Sequence, residues 1–184
     1  MKIAIFSDSH DNIPNLKTAL DYVNKEKINI LIHLGDLAAP AMLSEVIEPN
    51  FNLSAGKEIH MVFGNVGDPD MLTEMAKKYK NVKIHGERGE IEIGNKKIAF
   101  CHFPEEAKKM AQTGLYDIVF YGHTHKPWLE TIKQYNNITK EQKIIKLVNP
   151  GTLAGLFNKA TFAVYDTSTD KLELKILEQM VNNG

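Results

Sequence analysis

Residues 3–36 read IAIFSDSHDNIPNLKTALDYVNKEKINILIHLGD. Two short apolar runs, 3–6 and 28–34, suit strands buried on both faces. Between them Leu16, Ala19, Leu20 and Val23 recur at i, i+3, i+4 and i+7, one face of a helix, with Pro14 near its start. Strand, helix and strand joined by a crossover of this length form a parallel pair. Working outward, strand patterns follow at 59–63, 82–84, 90–93, 97–101 and 118–121. Asp68-Pro69 reads as the cap and first residue of a helix that turns Met71, Leu72, Met75 and Ala76 inward. Gly94-Asn95 joins two strands as a tight hairpin, and Pro104-Glu105-Glu106 opens a helix that Gly114 can close. Strands at 129–135, 143–148, 161–165 and 171–177 complete an antiparallel C-terminal part. No repeat, low-complexity tract or linker interrupts the pattern, so 1–184 reads as a single mixed α/β domain.

Composition narrows the function classes. Hydrophobic residues make up 43% of the 184 and charged residues 24%, the balance of an ordinary globular protein. Lys plus Arg number 22 and Asp plus Glu 23, so the net charge is 22 − 23 = −1. No global field draws in nucleic acid or an anionic membrane, and any anion must be attracted locally. No apolar run approaches the ~20 residues that span a bilayer, and the opening apolar stretch is too short for a signal peptide. The single cysteine, Cys101, has no internal partner, which suits a reducing cytoplasm.

Six of the expected strands end in a polar residue able to bind a metal or ligand. Phe6 runs into Ser7-Asp8-Ser9-His10, Leu34 into Gly35-Asp36, and Phe63 into Gly64-Asn65. Cys101 runs into His102, Tyr121 into Gly122-His123-Thr124-His125, and Val148 into Asn149-Pro150-Gly151. Ligands of α/β sheets bind beyond the carboxyl ends of strands, so these residues should converge. Asp8/His10 and His123/His125 are i, i+2 pairs, which an extended backbone points to one side, and the glycines before Asp36, Asn65 and His123 would permit sharp turns. Two carboxylates, one amide oxygen and four imidazoles form a donor set without thiolate, suited to Mn, Fe, Zn or Ni. Seven donors exceed one tetrahedral zinc and suit two ions of higher coordination sharing a carboxylate.

Asp8-x-His10, Gly35-Asp36, Gly64-Asn65, His102 and Gly122-His123-x-His125, in that order, resemble the calcineurin-like metallophosphoesterases, most closely the small bacterial and archaeal phosphodiesterases. The resemblance spans Ser7 to Gly151 and implies a metallophosphoesterase-like, four-layer fold: a two-sheet sandwich flanked by helices. It further implies that Asp8, His10 and His125 hold one divalent ion and that Asn65, His102 and His123 hold another. Asp36 bridges them, and Asp36, Asn65 and His102 stand at the catalytic centre. Manganese is the favoured ion, with Fe, Ni and Zn the alternatives. A hydroxide between ions ~3.5–4 Å apart would attack phosphorus in line with the leaving oxygen. Two divalent ions, two carboxylates and one hydroxide sum to about +1, enough to draw a small phosphoester to a protein of charge −1.

The sequence departs from the family at two places. Where many members carry a histidine that protonates the leaving group, this chain has Val66, and the family's following Asp comes one residue late, as Asp68. Loss of such an acid costs ~10²–10⁴-fold in rate, most for poor leaving groups, and so favours diesters and activated esters. Phe103-Pro104 replaces the Gly and His that often follow the ligand equivalent to His102. Asn149-Pro150-Gly151-Thr152 resembles the turn that closes the site in this branch, though the same residues make a good turn with no function.

Plainer readings fit the rest. His33, His60 and His85 read as structural histidines, Asp68 as a helix cap, and Cys101 as a core thiol facing away from His102. The alternation Phe162/Val164 and Leu172/Leu174/Ile176 reads as hairpin core, and 129–146 as a site wall or a homo-oligomer contact. Two rivals to a phosphodiesterase remain: a scaffold like the retromer's small subunit, and a phosphomonoesterase or nuclease. The filled ligand positions count against the first. Val66 and the absence of a basic, aromatic stripe count against the second.

Overall fold

The structure, a computed structural model, describes residues 1–136 and 141–181. One sheet has the order β11-β10-β1-β2-β3-β4 and the other β5-β6-β7-β9-β8. The first is built from β1 (Lys2–Phe6), β2 (Ile30–His33), β3 (Glu58–Met61), β4 (Val82–Ile84), β10 (Thr161–Asp166) and β11 (Lys171–Ile176). The second contains β5 (Arg88–Ile93), β6 (Lys96–Cys101), β7 (Ile118–Phe120), β8 (Trp128–Asn136) and β9 (Glu141–Asn149). Helices α1 (Ile13–Lys25), α2 (Glu48–Phe51), α3 (Pro69–Ala76) and α5 (Leu177–Val181) accompany the first sheet, and α4 (Pro104–Gln112) covers the second. A π-turn at Leu43–Ile47 leads into α2, in a stretch whose pattern is too irregular to read from sequence. Among the described residues no helix is long and apolar enough to cross a membrane.

Strand alternation sets the layers. On β1, Ile3 and Ile5 face the opposing sheet, while Ala4 and Phe6 face Leu16, Leu20 and Val23 of α1. Across the interface Ile98, Phe100, Ile118, Phe120 and Val148 meet Ile3, Ile5, Ile32 and Val62. On the outer side of the second sheet, Ala99, Cys101, Val119 and Tyr121 pack on Ala107, Met110 and Ala111 of α4. Cys101 therefore faces the helix and His102 the opposite way, and burial pushes the Cys101 thiol up to about 12. β1 to β4 are parallel neighbours, as are β6, β7 and β9, and the carboxyl ends of both sets meet at one edge of the sandwich.

Local chemistry explains the helix starts. The Asn12 side chain accepts from Asn15 N at 3.1 Å at the head of α1, and Asp68 accepts from Met71 N at 2.9 Å at the head of α3. Three expectations need correction. Met71 is 55% exposed: α3 buries the stripe of Leu72 and Ala76, and Met71 falls a position off it. The C-terminal half is mixed, because β9 runs antiparallel to β8 but parallel to β7. Leu174 lies on the edge strand β11 and is 47% exposed, so it is not hairpin core. Residues 137–140 lie outside the described residues, so the reading of 129–146 as a wall or contact is left open there.

His60 sits on the interface side of β3, buried, its Nδ1 3.0 Å from Nε2 of His85 and Phe100 edge-on to both rings. Burial, helped by the neighbouring His85 and Lys83, lowers its pKa to about 4. Between pH 6.5 and 4 the unfolded chain takes up a proton at this site that the folded chain refuses. Stability is therefore full above about 6.5 and falls as pH drops, by about 3 kcal/mol at most. Urea midpoints of chelator-treated protein should decline over this range, and His60→Gln should flatten part of that slope; an unchanged slope would contradict the buried neutral imidazole.

Candidate metal centre

Each expected donor emerges at the open edge. Asp8 and His10 follow β1, Asp36 follows β2, Asn65 follows β3, His102 follows β6, and His123 and His125 follow β7. Ligand atoms of Asp8, His10, Asp36 and His125 all lie within 4.8 Å of one another. Asn65 Oδ1 lies 2.9 Å from His102 Nε2 and 2.8 Å from His123 Nδ1. Asp36 Oδ2 stands between the two groups, 3.6 Å from both His10 Nε2 and His102 Nε2. His10 Nε2 and His125 Nε2 are 3.2 Å apart.

The surroundings turn spare donors inward. His102 Nδ1 lies 2.8 Å from the Leu34 carbonyl, so a proton there leaves the Nε2 lone pair facing Asp36 and Asn65. Asp36 Oδ1 accepts from Val66 N at 2.9 Å, which leaves Oδ2 free for the centre. Asp8 accepts from the Ser7 hydroxyl and from His123 N, and its Oδ1 lies 3.3 Å from His125 Nε2. Asp8 is wholly buried and Asp36 2% exposed. Burial pushes the Asp8 carboxyl above its usual range, and Asp36 adds to the rise, against the Ser7 hydrogen bond and the His102 and His125 imidazoles. Buried carboxylates beside converging imidazoles and an amide oxygen fit divalent metal ions of the hard-to-borderline class.

The backbone makes this cluster differently from the expected extended pairs. Asp8, His10, Asp36, His123 and His125 all have positive φ, between 40° and 68°. Side chains at i and i+2 thus reach one centre from tight left-handed loops, each such residue storing roughly 1 kcal/mol or more of strain. Gly35, at φ 102°, does supply a turn. Gly64 and Gly122 act otherwise, through the space a Cβ would fill. At Gly64 it would strike the Asp36 carboxylate, and at Gly122 the Ser7 hydroxyl and Asp8 Oδ2.

Residues that sequence reading left undecided or missed hold these loops. Asn149 is 1% exposed; its Nδ2 donates to the Gly122 carbonyl at 2.8 Å and to Thr124 Oγ1 at 2.9 Å, while its Oδ1 accepts from Gly151 N. Thr152 Oγ1 and Ala154 N both donate to the Asp8 carbonyl, and Leu153 N to that of Ser7. Both Asp11 oxygens accept from Ala39 N, at 3.1 and 3.0 Å. Asn-Pro-Gly was the one visible signal for the first of these; nothing in the pattern marks Asp11. His33 is buried with Nε2 3.1 Å from Ser9 Oγ, but its Nδ1 has no hydrogen-bond partner among the described residues, so it is only half satisfied there.

Residues 1–170 match the calcineurin-like phosphoesterase superfamily domain. The chain belongs to that superfamily. A phosphodiesterase of Methanocaldococcus jannaschii is 30% identical over 182 residues, which cover 97% of this chain and 100% of that protein. The solved structure of an archaeal phosphodiesterase superposes with a TM-score of 0.79 at 27% identity, over 96% of this chain and 99% of that one. Vps29 of Entamoeba histolytica, solved in complex with Zn2+, shares the fold with a TM-score of 0.60 at 23% identity, over 96% and 99% of the two chains. This calcineurin-like phosphoesterase thus has the two-sheet α/β architecture of its superfamily, with flanking helices.

Removing the Asn149 amide takes one of two donors from the buried Gly122 carbonyl, the other being Thr124 N, and leaves Gly151 N without its Oδ1 acceptor. Asn149→Ala should destabilise the protein by about 1–3 kcal/mol in urea unfolding. Gly122→Ala, which forces a methyl group against Ser7 and Asp8, should cost a similar amount. Midpoints matching the parent in both variants would mean that these loops are not held as described.

Proposed function

We propose that this phosphoesterase hydrolyses phosphodiesters at a dinuclear centre, with 1–184 as one catalytic domain. In this reading Asp8, His10 and His125 hold one divalent ion, Asn65, His102 and His123 a second, and Asp36 both. The observation that carries it is the position of Asp36 Oδ2, equidistant at 3.6 Å from an imidazole of each group. When bound, such ions activate water as the nucleophile and neutralise charge on the phosphate. The 30%-identical phosphodiesterase supports the diester class.

The protein's own residues do the holding and orienting. Val66 N on Oδ1 of Asp36, and the Leu34 carbonyl beside Nδ1 of His102, aim the two central donors. Val66, 40% exposed at the position of the family's proton donor, offers the leaving group no proton. Asp68 is engaged in capping α3. Diesters and esters with acidic leaving groups are accordingly the favoured substrates, small ones given a net charge of −1. The donor set admits Mn, Fe, Ni or Zn, with manganese favoured by the family resemblance, and a reducing cytoplasm is the favoured setting for the lone Cys101.

Chelator-stripped protein resupplied with Mn should turn over bis-p-nitrophenyl phosphate faster than the p-nitrophenyl monoester. Absence of both metal uptake and turnover would instead favour a binding scaffold. Asp36→Asn should lose metal and lower the rate at least ~10²-fold while the fold survives; full metal content and rate would sink the bridging assignment. Val66→His should speed esters with alkyl leaving groups, by up to ~10²-fold, more than nitrophenyl esters. A uniform effect on both would refute the leaving-group argument.

A further inference from the structure

Directly after His102 the chain carries an aromatic ring that the donor set does not require. Phe103 is 41% exposed, yet its ring is held edge-on by two imidazoles. Centroids lie 4.9 Å from His102, at 80°, and 4.9 Å from His123, at 62°. Its backbone is equally constrained. Pro104 disfavours helical geometry at the preceding residue, and Phe103 is extended at φ −89°, ψ 137°, its carbonyl accepting from Ala107 N at the head of α4. A preorganised ring therefore stands open to solvent beside the imidazoles that share Asn65 Oδ1. Next to Asn65, Val66 is 40% exposed and borders a hollow lined by Leu37, Pro40, Phe63 and Leu72. Asp36 and Asp68 also line that hollow, so the exposed apolar groups beside the donors are the Phe103 ring and the Val66 side chain.

We propose that Phe103 is a stacking platform, and that the substrate is a phosphodiester bearing a planar aromatic group, an aryl ring or a nucleobase, on one ester arm. This rests on the phosphodiesterase reading and names its substrate class. A held ring that is wet on its free side gains from being covered and loses little freedom when it is. In the hydrolysis, the oxygen of water bonds to phosphorus and the bond from phosphorus to the departing oxygen breaks with its electron pair. The departing oxygen then gains from solvent the equivalent of the proton that water gave up.

The test is a ratio of inhibition constants on Mn-loaded protein hydrolysing bis-p-nitrophenyl phosphate. Phenyl phosphate should inhibit at about tenfold lower concentration than methyl phosphate, the gain expected from one aromatic stack. The ratio should fall toward one in Phe103→Ala and Phe103→Leu and persist in Phe103→Trp. Leu keeps the apolar contact with His102 and His123, so a merely structural role would be rescued by it. Adenosine 5'-monophosphate against ribose 5-phosphate separates nucleobase from aryl recognition, and a gain for either aromatic supports the platform. A parental ratio near one in both pairs, or one unchanged in Phe103→Ala, overturns it. Were no diester hydrolysed, the phosphodiesterase reading would fail by itself, and calorimetric binding of the same two ligands to the Mn-loaded protein would still read the ratio.

Discussion

Two carboxylates lie side by side with almost no access to water. Asp8 and Asp36 repel each other and each loses hydration, a combination that a folded chain tolerates only when positive or proton-donating groups face it from several sides. Here those groups are the Ser7 hydroxyl, the amides of Val66 and His123, and a ring of imidazoles. They arrive from four strand ends, those of β1, β3, β6 and β7. Holding the two carboxylates together therefore requires both sheets to be stacked with their parallel carboxyl ends at one edge, and the layers of apolar side chains between them maintain that registry.

The same constraint accounts for the loops. Five donors at positive φ would relax if the loops were free to open. Asp8 N bonds to the Gly35 carbonyl, His10 N to that of Asp36, and Gly122 N to that of His102, so each loop is tied to its neighbour. Under the dinuclear reading, two divalent ions would supply the local positive charge that a phosphoester needs at a near-neutral protein. That attraction would be confined to the few ångströms around the donors, beside the exposed apolar side chains of Val66 and Phe103.

Much of this was legible in the chain. Strand ends carrying Asp8, Asp36, Asn65, His102 and His123 could be ordered because buried parallel strands are short apolar runs whose last residue is polar. The layers followed from alternation, down to Cys101 facing away from His102. What escaped depended on contacts distant in sequence. No local pattern reports that a Cβ on Gly64 would hit Asp36, that Asp11 takes Ala39 N, or that Asn149 pins Gly122 across 27 residues. The reason given for the i, i+2 pairs was also wrong in kind. Period-two reasoning presumes extended backbone, and these residues lie beyond their strands.

β1 precedes the other described strands in the chain, yet one of its two neighbours in the sheet is β10, some 160 residues later, and the turn at 149–154 binds the loop after β1 as well. During synthesis the amino-terminal β1-α1-β2 unit can pair while the loop bearing Asp8 still lacks Thr152 and Ala154. Asp8 and His10 are thus made early and set late. A chain that stops short of Thr152 lacks the contacts that fix the loop bearing Asp8, so the cluster can become rigid only when the last third of the polypeptide has closed over the first.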